Sequence, residues 1–279
     1  AGGWDLAQGF DPQGLPLSRT AAAMVGAADP AEASTIVRFM LGEPLNFDPG
    51  TRQAYSNFGF NVLGRVIEHV SGQPYGDYVR DAVLAPTGAT AMRLARTRLA
   101  DRAPDEVHYY SPSNLPRTWS VFWGEGYVPF AYGGNIYLEA LDAHGGWIAS
   151  AADLVRIATA VDGQRSPALL QPATFEAMIS TPRPPTGVLS PGTDVSAEVT
   201  AGLGWDVTES PGFWRVGALM GSTAAWVARQ PDGVALAFTF NSVPTNYLEF
   251  LDAVIDAVRQ TAGGITNWPS GDLFAADSA

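Results

Sequence analysis

Residues 223–241 read TAAWVARQPDGVALAFTFN and contain two β-rich runs joined by a turn. Val, Thr, Trp and Phe favour strands, and a Pro-Asp-Gly sequence between two such runs is typical of a connection between neighbouring antiparallel strands. Two further runs of the same character precede them, GLGWDV (202–207) and FWRVGAL (213–219). The four runs predict an antiparallel meander in which each strand pairs with the next one along the chain.

A helix that follows the meander is predicted to cover it. Its apolar residues recur at three- and four-residue spacings, which places them on one helix face. They are Leu248, Leu251, Val254, Ile255 and Val258. The residues after Gly263 are predicted to form a loose tail.

Three further helices are predicted in the first third of the chain. The first spans Asp29–Met40, with Asp29 as its N-cap. The second follows Tyr55 and ends at Ser71-Gly72, and the third spans Pro74–Leu84 and stops before Pro86. The apolar positions of the second helix, which are expected to face the core, are Phe58, Val62, Leu63, Val66, Ile67 and Val70.

The region from about Arg96 to Ala143 lacks a clear period and is rich in Trp, Tyr, Gly and Pro. We predict a long structured loop region there, and such segments often line functional sites. A helix is predicted after it, because Ser150 and Asp153 have the spacing of a capping box ahead of an apolar run.

The order of these elements predicts the fold class. Helices that come first and a meander that comes last favour an α+β fold over a doubly wound parallel sheet. We predict one domain over residues 1–262 and a flexible tail over 263–279, with a helical and loop-rich part up to residue 200 and the sheet and closing helix in 201–262. Three or four strands form a small sheet for 279 residues, so we expect that strands are missing from this set.

The charge balance and the absent residue types exclude several functions. The chain has 28 acids against 16 basic residues, all arginine, for a formal charge of -12, which argues against nucleic acid as a partner. The apolar stretches are broken well before about 18 residues, so no membrane span is predicted. With no cysteine and three scattered histidines, no disulfide, cysteine nucleophile or metal site is expected, and no cofactor is predicted. The compartment is left open.

Three places are candidates for chemistry. Tyr55-Ser56-Asn57 offers a phenol that can carry a proton and an amide that can hold a substrate, although Ser56 as N-cap with Tyr55 in the core is the structural alternative. Arg215 is followed two residues later by Gly217, which lets a substrate lie against the strand, and the alternative is a solvated arginine. His144 precedes two glycines that suggest a tight turn and is interpreted as structural.

A series of short motifs runs through the chain. They are Phe47-Asp-Pro-Gly50, Tyr55-Ser-Asn57, Leu63-Gly-Arg-Val-Ile-Glu68, Ser71-Gly-Gln-Pro-Tyr75, Ala85-Pro-Thr-Gly88, Gly145-Gly146 with Asp153-Leu154, Gly202-Leu-Gly-Trp205, Gly217-Ala-Leu-Met-Gly221 and Arg229-Gln-Pro-Asp-Gly233. Each motif is weak alone. In this order, from Gly2 to about Val258, they resemble the serine β-lactamase and penicillin-binding-protein superfamily, in the branch of class C β-lactamases, D-amino-acid peptidases and esterases.

This resemblance implies a β-lactamase/transpeptidase-like fold and a reaction in which a Ser-x-x-Lys serine is acylated by the carbonyl of an ester, amide or β-lactam. By motif order it assigns proton transfer to Tyr55 and the holding of the substrate and the lysine to Asn57. Arg215 and Gly217 match the family's Lys- or His-x-Gly strand motif. The backbone N–H of Ala218 is then expected to contribute to the oxyanion hole.

Two features depart from the family pattern. The chain has no lysine and only 54 residues before Tyr55, so the Ser-x-x-Lys motif, its helix and the early strands are expected in an N-terminal segment that this sequence lacks. That segment is a candidate partner, and the isolated chain is predicted to be inactive. Arg215 stands where Lys or His is usual; it cannot act as a base, but its charge can anchor a substrate carboxylate.

The sequence supports two functional hypotheses, the first from the motif series and the second from the aromatic loop region. In the first, Trp123 and Tyr127 contact a small-molecule or peptide substrate of an esterase or peptidase, and β-lactamase activity ranks lower. In the second, the region from Trp119 to Tyr137 is the surface of a non-catalytic relative that binds a peptide, a glycan or a protein. A Ser-x-x-Lys encoded upstream of Ala1 favours the enzyme, and translation that begins near Ala1 favours the binding protein.

Overall fold

A computed structural model describes residues 2–8, 14, 17–112, 115–163, 167–180, 199–208, 212–219 and 221–270. The helices are α1 (Leu17–Met24), α2 (Ala33–Met40), α3 (Asn57–Ser71), α4 (Tyr75–Val79), α5 (Ala85–Thr87), α6 (Ala151–Val161), α7 (Pro172–Ser180) and α8 (Tyr247–Gly263). The strands are β1 (Arg93–Leu94), β2 (Thr118–Trp119), β3 (Tyr127–Val128), β4 (Trp147–Ile148), β5 (Val199–Ala201), β6 (Asp206–Thr208), β7 (Phe213–Leu219), β8 (Thr223–Arg229) and β9 (Ala235–Phe240). A helix with the length and apolar composition of a membrane span is absent from these residues.

The predicted meander forms one antiparallel sheet in the order β5-β6-β7-β8-β9. The prediction of three or four strands missed β5, which has three residues. The run 202–207 becomes a strand only at Asp206, because the residues before it form the turn from β5 to β6. The turn from β8 to β9 forms as predicted, with Gln230 N–H donating to Val234 O at 2.8 Å. Helices and an antiparallel sheet confirm the α+β class.

Side chains alternate in direction along each strand, so neighbouring apolar residues lie on opposite faces of the sheet. Helices cover both of these faces. Phe213 of β7 packs with Val161 of α6 and Phe175 of α7. Its neighbour Trp214 packs with Ile255 of α8. The closing helix therefore covers the meander as predicted.

Two helices differ in detail from the predictions. α2 begins at Ala33, because the Asp29 carboxylate accepts a hydrogen bond from Arg19 Nε at 3.2 Å and does not cap the helix. In α8, Leu248 is exposed and Phe250 packs against the core in its place. α8 ends at Gly263, and residues 271–279 of the predicted tail lie outside the described residues.

The third predicted helix does not stop before Pro86. After α4, a π-helical turn spans Arg80–Leu84, and α5 continues through Pro86 to Thr87. Ala85 N–H bonds to Arg80 O, five residues back. The wider turn lets the helix continue across a residue that has no N–H to donate and whose ring would clash in a regular α-helix.

α3 buries a different face from the one that its apolar residues predict. Leu63 (53%), Val66 (48%) and Val70 (80%) are exposed. Gly64 is buried, and a Cβ added there would lie 2.6 Å from Ala143 Cβ. The helix backbone therefore approaches the loop region closely at Gly64, and this contact decides which face of α3 is covered.

The segment from Arg93 to Ile148, called the loop region below, contains short elements among its described residues, as predicted. β1 pairs with β4, and β2 pairs with β3, each pair two residues long. Side chains complete the hydrogen bonding: the buried Thr97 Oγ1 accepts from Leu138 N–H at 2.8 Å. The helix after this region begins with the predicted capping box of Ser150 and Asp153.

Candidate active site

The start of α3 brings Tyr55 and Asn57 together. Ser56 is the N-cap, and its Oγ accepts a hydrogen bond from Gly59 N–H at 2.9 Å. The Tyr55 hydroxyl donates to Asn57 Oδ1 at 2.9 Å. The cap role predicted for Ser56 is confirmed, and the same turn that caps the helix holds the phenol against the amide.

The N-terminal segment fixes the backbone beside Tyr55. Leu6 N–H donates to Tyr55 O at 2.9 Å. Asp5, the residue before Leu6, is buried and forms an ion pair with Arg52 at 2.8 Å. These contacts tie the backbone at Tyr55 to the N-terminal segment, and the ring of Tyr55 is half-buried.

Arg215 reaches from β7 to Tyr55. Its guanidinium carbon lies 5.6 Å from the centroid of the Tyr55 ring, and its Nη1 donates to Asp206 Oδ2 at 3.2 Å. Asp206 is 1% exposed, and a carboxylate buried to this degree needs a cationic or hydrogen-bonding partner. Asp206 therefore anchors Arg215. We call Tyr55, Asn57, Arg215 and Asp206 the Tyr55 cluster.

Asp206 was missed by the sequence reasoning, although a signal for it exists. It is the one charged residue in the run 202–207, and Arg215 is the one charged residue in the run 213–219. A charge within an apolar strand needs a partner, and consecutive strands of a meander are neighbours. The two runs therefore contain enough information to pair Asp206 with Arg215.

Gly217 and Ala218 lie on an open part of β7. β6 pairs with β7 at Phe213 and Trp214, whereas the pairing with β8 continues to Leu219. Among the described residues, no strand lies beside the other edge of β7 after Trp214. Gly217 and Ala218 are exposed, and a Cβ added to Gly217 would meet no atom within 4 Å. Within the part of the chain that the structure describes, a ligand has room along this edge.

Trp123 and Tyr127 lie in a different environment. Trp123 is 75% exposed, and the Arg19 guanidinium carbon lies 4.0 Å from the centroid of its ring. Tyr127 is 56% exposed and packs against Trp119, with ring centroids 4.3 Å apart. None of the contacts described for these two residues is with the Tyr55 cluster, so their role in substrate binding stays a prediction.

His144 is a half-buried residue outside the Tyr55 cluster. Burial, together with the positive charge of Arg65, lowers the pKa of His144 to about 4. Both ring nitrogens are buried and bond to no atom of the described residues. His144 is therefore neutral at pH 7, which agrees with its interpretation as structural.

Comparison with known sequences gives one family and several relatives. The family model described as Beta-lactamase matches residues 9–260. A putative D-alanyl-D-alanine carboxypeptidase of Escherichia coli (strain K12) is 25% identical over 144 residues, which cover 47% of this chain and 32% of the relative. Penicillin-binding protein 4* of Bacillus subtilis (strain 168) is 31% identical over 78 residues, or 27% of this chain and 17% of the relative. The chain thus matches a third or less of the length of these relatives.

Solved structures share the fold. The D-amino acid amidase from Ochrobactrum anthropi SV3, complexed with L-phenylalanine amide, aligns with a TM-score of 0.62 at 19% identity, over 94% of this chain and 69% of that chain. The penicillin binding protein from Bacillus halodurans aligns with a TM-score of 0.55 at 18% identity, over 81% of this chain and 62% of that chain. At these identities, the similarity shows the fold alone.

Proposed function

Because the chain belongs to the Beta-lactamase family, we propose that it is part of a serine hydrolase that cleaves an ester, amide or β-lactam bond through an acyl-enzyme. The nucleophile is proposed to come from a segment outside this sequence. The observation that carries the proposal is the Tyr55 cluster, in which a phenol bonded to an amide at 2.9 Å lies 5.6 Å from an anchored guanidinium. Tyr55, Asn57 and Arg215 stand at the positions that the motif order assigns to the family's site, and Asp206 is the partner of Arg215.

The proposed reaction gives each residue one task. The serine hydroxyl attacks the substrate carbonyl, its proton passes by way of Tyr55 to the leaving group, and water then hydrolyses the acyl-enzyme. Tyr55, whose hydroxyl here donates to Asn57 Oδ1 at 2.9 Å, accepts the serine proton as the phenolate, and the lysine of the Ser-x-x-Lys motif is proposed to take up the proton that the phenol gives up. Ala218 N–H is proposed as a donor of the oxyanion hole, where one donor typically contributes ~3 kcal/mol.

Arg215 is proposed to select the substrate. A guanidinium offers several donors and no acceptor, which suits a carboxylate or a carbonyl oxygen. Because Asp206 of the neighbouring strand β6 accepts a hydrogen bond from Arg215, the cation is anchored where the pairing of β6 with β7 ends. The names of the amidase and the carboxypeptidase described above favour an amide bond among the three candidate bonds, with a small amide or a peptide as substrate.

Labelling with a serine-directed fluorophosphonate tests this proposal. We expect no labelling of the 279-residue chain, because it has no Ser-x-x-Lys motif. We expect labelling of the protein translated with the coding sequence upstream of Ala1. In that longer protein, Tyr55→Phe is expected to slow labelling by about 100-fold or more, the effect of removing a general base.

Tyr110→Phe is the matched control, since Tyr110 is 60% exposed and lies outside the Tyr55 cluster. It is expected to label at the normal rate. Labelling of the 279-residue chain alone, or equal rates for Tyr55→Phe and Tyr110→Phe, would contradict the proposed mechanism. Turnover of a D-amino-acid amide, an aryl ester and a chromogenic β-lactam by the longer protein would then rank the bonds.

A second candidate function is binding without catalysis. The exposed aromatic residues Trp119, Trp123 and Tyr127 favour it, because exposed rings clustered on one short ribbon are typical of binding surfaces. This candidate predicts that the gene encodes no Ser-x-x-Lys upstream of Ala1. It also predicts that the longer protein stays unlabelled by the fluorophosphonate.

A further inference from the structure

The charged residues at and beside the Tyr55 cluster form ion pairs. Arg215 Nη1 lies 3.2 Å from Asp206 Oδ2. Asp5, next to the residue that bonds to the Tyr55 carbonyl oxygen, pairs with Arg52 at 2.8 Å. Both acids are buried, with 1% and 7% of their surface exposed. The formal charges of these two pairs sum to zero, so together they offer an anion no net positive charge.

Arg215 lies beside the part of β7 that is open to a substrate. Arg215 and Gly217 are two residues apart, so they face the same side of the strand. Gly217 has no side chain, and a Cβ placed there would meet no atom within 4 Å. A substrate that lies over Gly217 therefore meets the guanidinium of Arg215. Any group bonded to that guanidinium is separated from the Asp206 carboxylate by little more than the width of the guanidinium itself.

Burial makes the charge of Asp206 effective at this distance. The side chain is 1% exposed, so solvent and salt screen its carboxylate only weakly. Repulsion between Asp206 and a carboxylate of the substrate therefore offsets much of the attraction to Arg215. A neutral carbonyl oxygen accepts a hydrogen bond from the guanidinium without this repulsion.

The charge of the whole chain acts in the same direction. The 28 acids and 16 arginines give a formal charge of -12. A field of this sign lowers the concentration of anionic substrates near the protein, and most strongly at low ionic strength. The local ion pair and the long-range field both disfavour a substrate that carries a carboxylate.

We propose, as an extension of the proposed function, that the Asp206–Arg215 ion pair selects substrates with an uncharged leaving group, namely primary amides and neutral esters. Water cleaves the bond, so an amide gives a carboxylic acid and ammonia, and an ester gives a carboxylic acid and an alcohol. β-Lactam antibiotics carry a carboxylate beside the ring nitrogen, and a peptide cleaved before its last residue carries one on the leaving amino acid. Both are therefore disfavoured. Asp206 is a positioning residue, because it acts through the placement and the charge of Arg215.

Hydrolysis of two matched aryl esters tests this selectivity in the protein translated with the coding sequence upstream of Ala1. The esters 3-acetoxybenzamide and 3-acetoxybenzoate release phenols of the same shape and differ in the charge of one substituent. Each rate is divided by the uncatalysed rate of the same ester. We expect kcat/KM for the neutral ester to exceed that for the anionic ester by about tenfold or more, the effect of one weakly screened like charge.

Asp206→Asn is the test variant, because it removes the charge and keeps an oxygen that accepts from Arg215. We expect the ratio of the two kcat/KM values to fall about tenfold. A merely structural role of Asp206 would lower both values alike and leave the ratio unchanged. Asp256→Asn is the matched control, since Asp256 is exposed on α8 and its loss changes the total charge by the same amount. Its ratio is expected to stay within about twofold of the wild-type ratio.

The outcomes separate this selectivity from the proposed function. Equal turnover of the two esters, a preference for the anionic ester, or an unchanged ratio in Asp206→Asn would overturn the selectivity and leave the serine-hydrolase mechanism intact. Absence of fluorophosphonate labelling of the longer protein would overturn both. If Asp206→Asn does not fold, the wild-type ratio decides, because equal turnover already contradicts selection by charge.

Discussion

The sheet region (residues 199–263) and the loop region (93–148) are stabilised by different interactions. In the sheet region, β7 and β8 pair over seven residues, and Phe213 and Val227 are buried between the sheet and its helices. In the loop region, paired strands are two residues long, and polar side chains make many of the contacts. Examples are Ser120 Oγ donating to Glu125 at 2.8 Å and Glu125 pairing with Arg98 at 2.7 Å.

This difference predicts how each region responds to perturbation. The free energy gained by burying apolar side chains scales with the buried area and does not depend on pH. The stability of the sheet region should therefore fall mainly when side-chain volume is removed. Contacts between buried polar groups depend on exact partners and on protonation, so the loop region should respond to pH and to the loss of single hydrogen bonds. The cation of the Tyr55 cluster, Arg215, lies in the sheet region.

The largest effect is expected for Phe213→Ala in the sheet region. Phe213 is 2% exposed and packs against Trp205 and Phe175, with ring centroids 4.8 and 5.6 Å away. Removing a buried phenylalanine lowers the free energy of unfolding by about 4 kcal/mol, through lost transfer energy and the cavity left behind. Urea denaturation measures the loss.

Tyr110→Ala in the loop region is the control for Phe213→Ala. Its side chain is 60% exposed, so we expect a change within about 0.5 kcal/mol. If the two aromatic truncations destabilised the protein equally, burial would not distinguish the regions in the way that the structure indicates.

The same contrast separates what the sequence predicted from what it did not. The meander and the caps at Ser56 and Ser150 follow from residues close together in the chain, so periodicity and capping patterns were sufficient. The covered face of α3 depends on a distant segment: Gly64 meets Ala143, and no local pattern encodes that approach. The three- and four-residue spacing of the apolar residues therefore predicted Leu63 and Val66 in the core, but both side chains are exposed.

The candidate site could also be predicted only in part, since nearby residues were paired correctly and distant ones were not. Tyr55 and Asn57 are two residues apart, and their hydrogen bond follows from the turn that caps α3. Arg215 lies far along the chain, and only the resemblance to a family joined it to Tyr55.

The second largest effect is a pH dependence that arises from His144 in the loop region. Its pKa is lowered to about 4 in the folded protein, against an ordinary value of about 6.5 in the unfolded chain. Between pH 6.5 and 4, His144 takes up a proton in the unfolded chain but not in the folded protein. The free energy of unfolding is therefore highest above pH 6.5 and falls as the pH drops toward 4. The loss should reach about 3 kcal/mol.

Unfolding free energies measured from pH 7 to pH 4 check this dependence. His144→Gln is expected to remove most of the slope between pH 6.5 and 4, whereas His108→Gln, at an exposed position in the same region, should leave it unchanged. Carboxylates contribute to the slope in all three proteins, so the difference between variants is the decisive quantity. A slope that survives in His144→Gln would show that another group titrates there.

The smallest of the three effects is expected for Thr97→Val, which changes hydrogen bonding at nearly constant volume. The Thr97 side chain is fully buried; its Oγ1 accepts from Leu138 N–H at 2.8 Å and donates to the Glu139 carboxylate. Valine leaves both partners without this contact, so we expect the free energy of unfolding to fall by about 2 kcal/mol. Urea denaturation and faster amide exchange at Leu138 measure the loss.

Thr159→Val on α6 is the control. Thr159 Oγ1 donates to Val155 O at 2.9 Å, a carbonyl within the helix, and losing this bond should change stability by about 0.5 kcal/mol. Equal losses in the two variants would mean that one polar contact in the loop region matters no more than one in a helix, and the distinction between the regions would then rest on apolar burial alone.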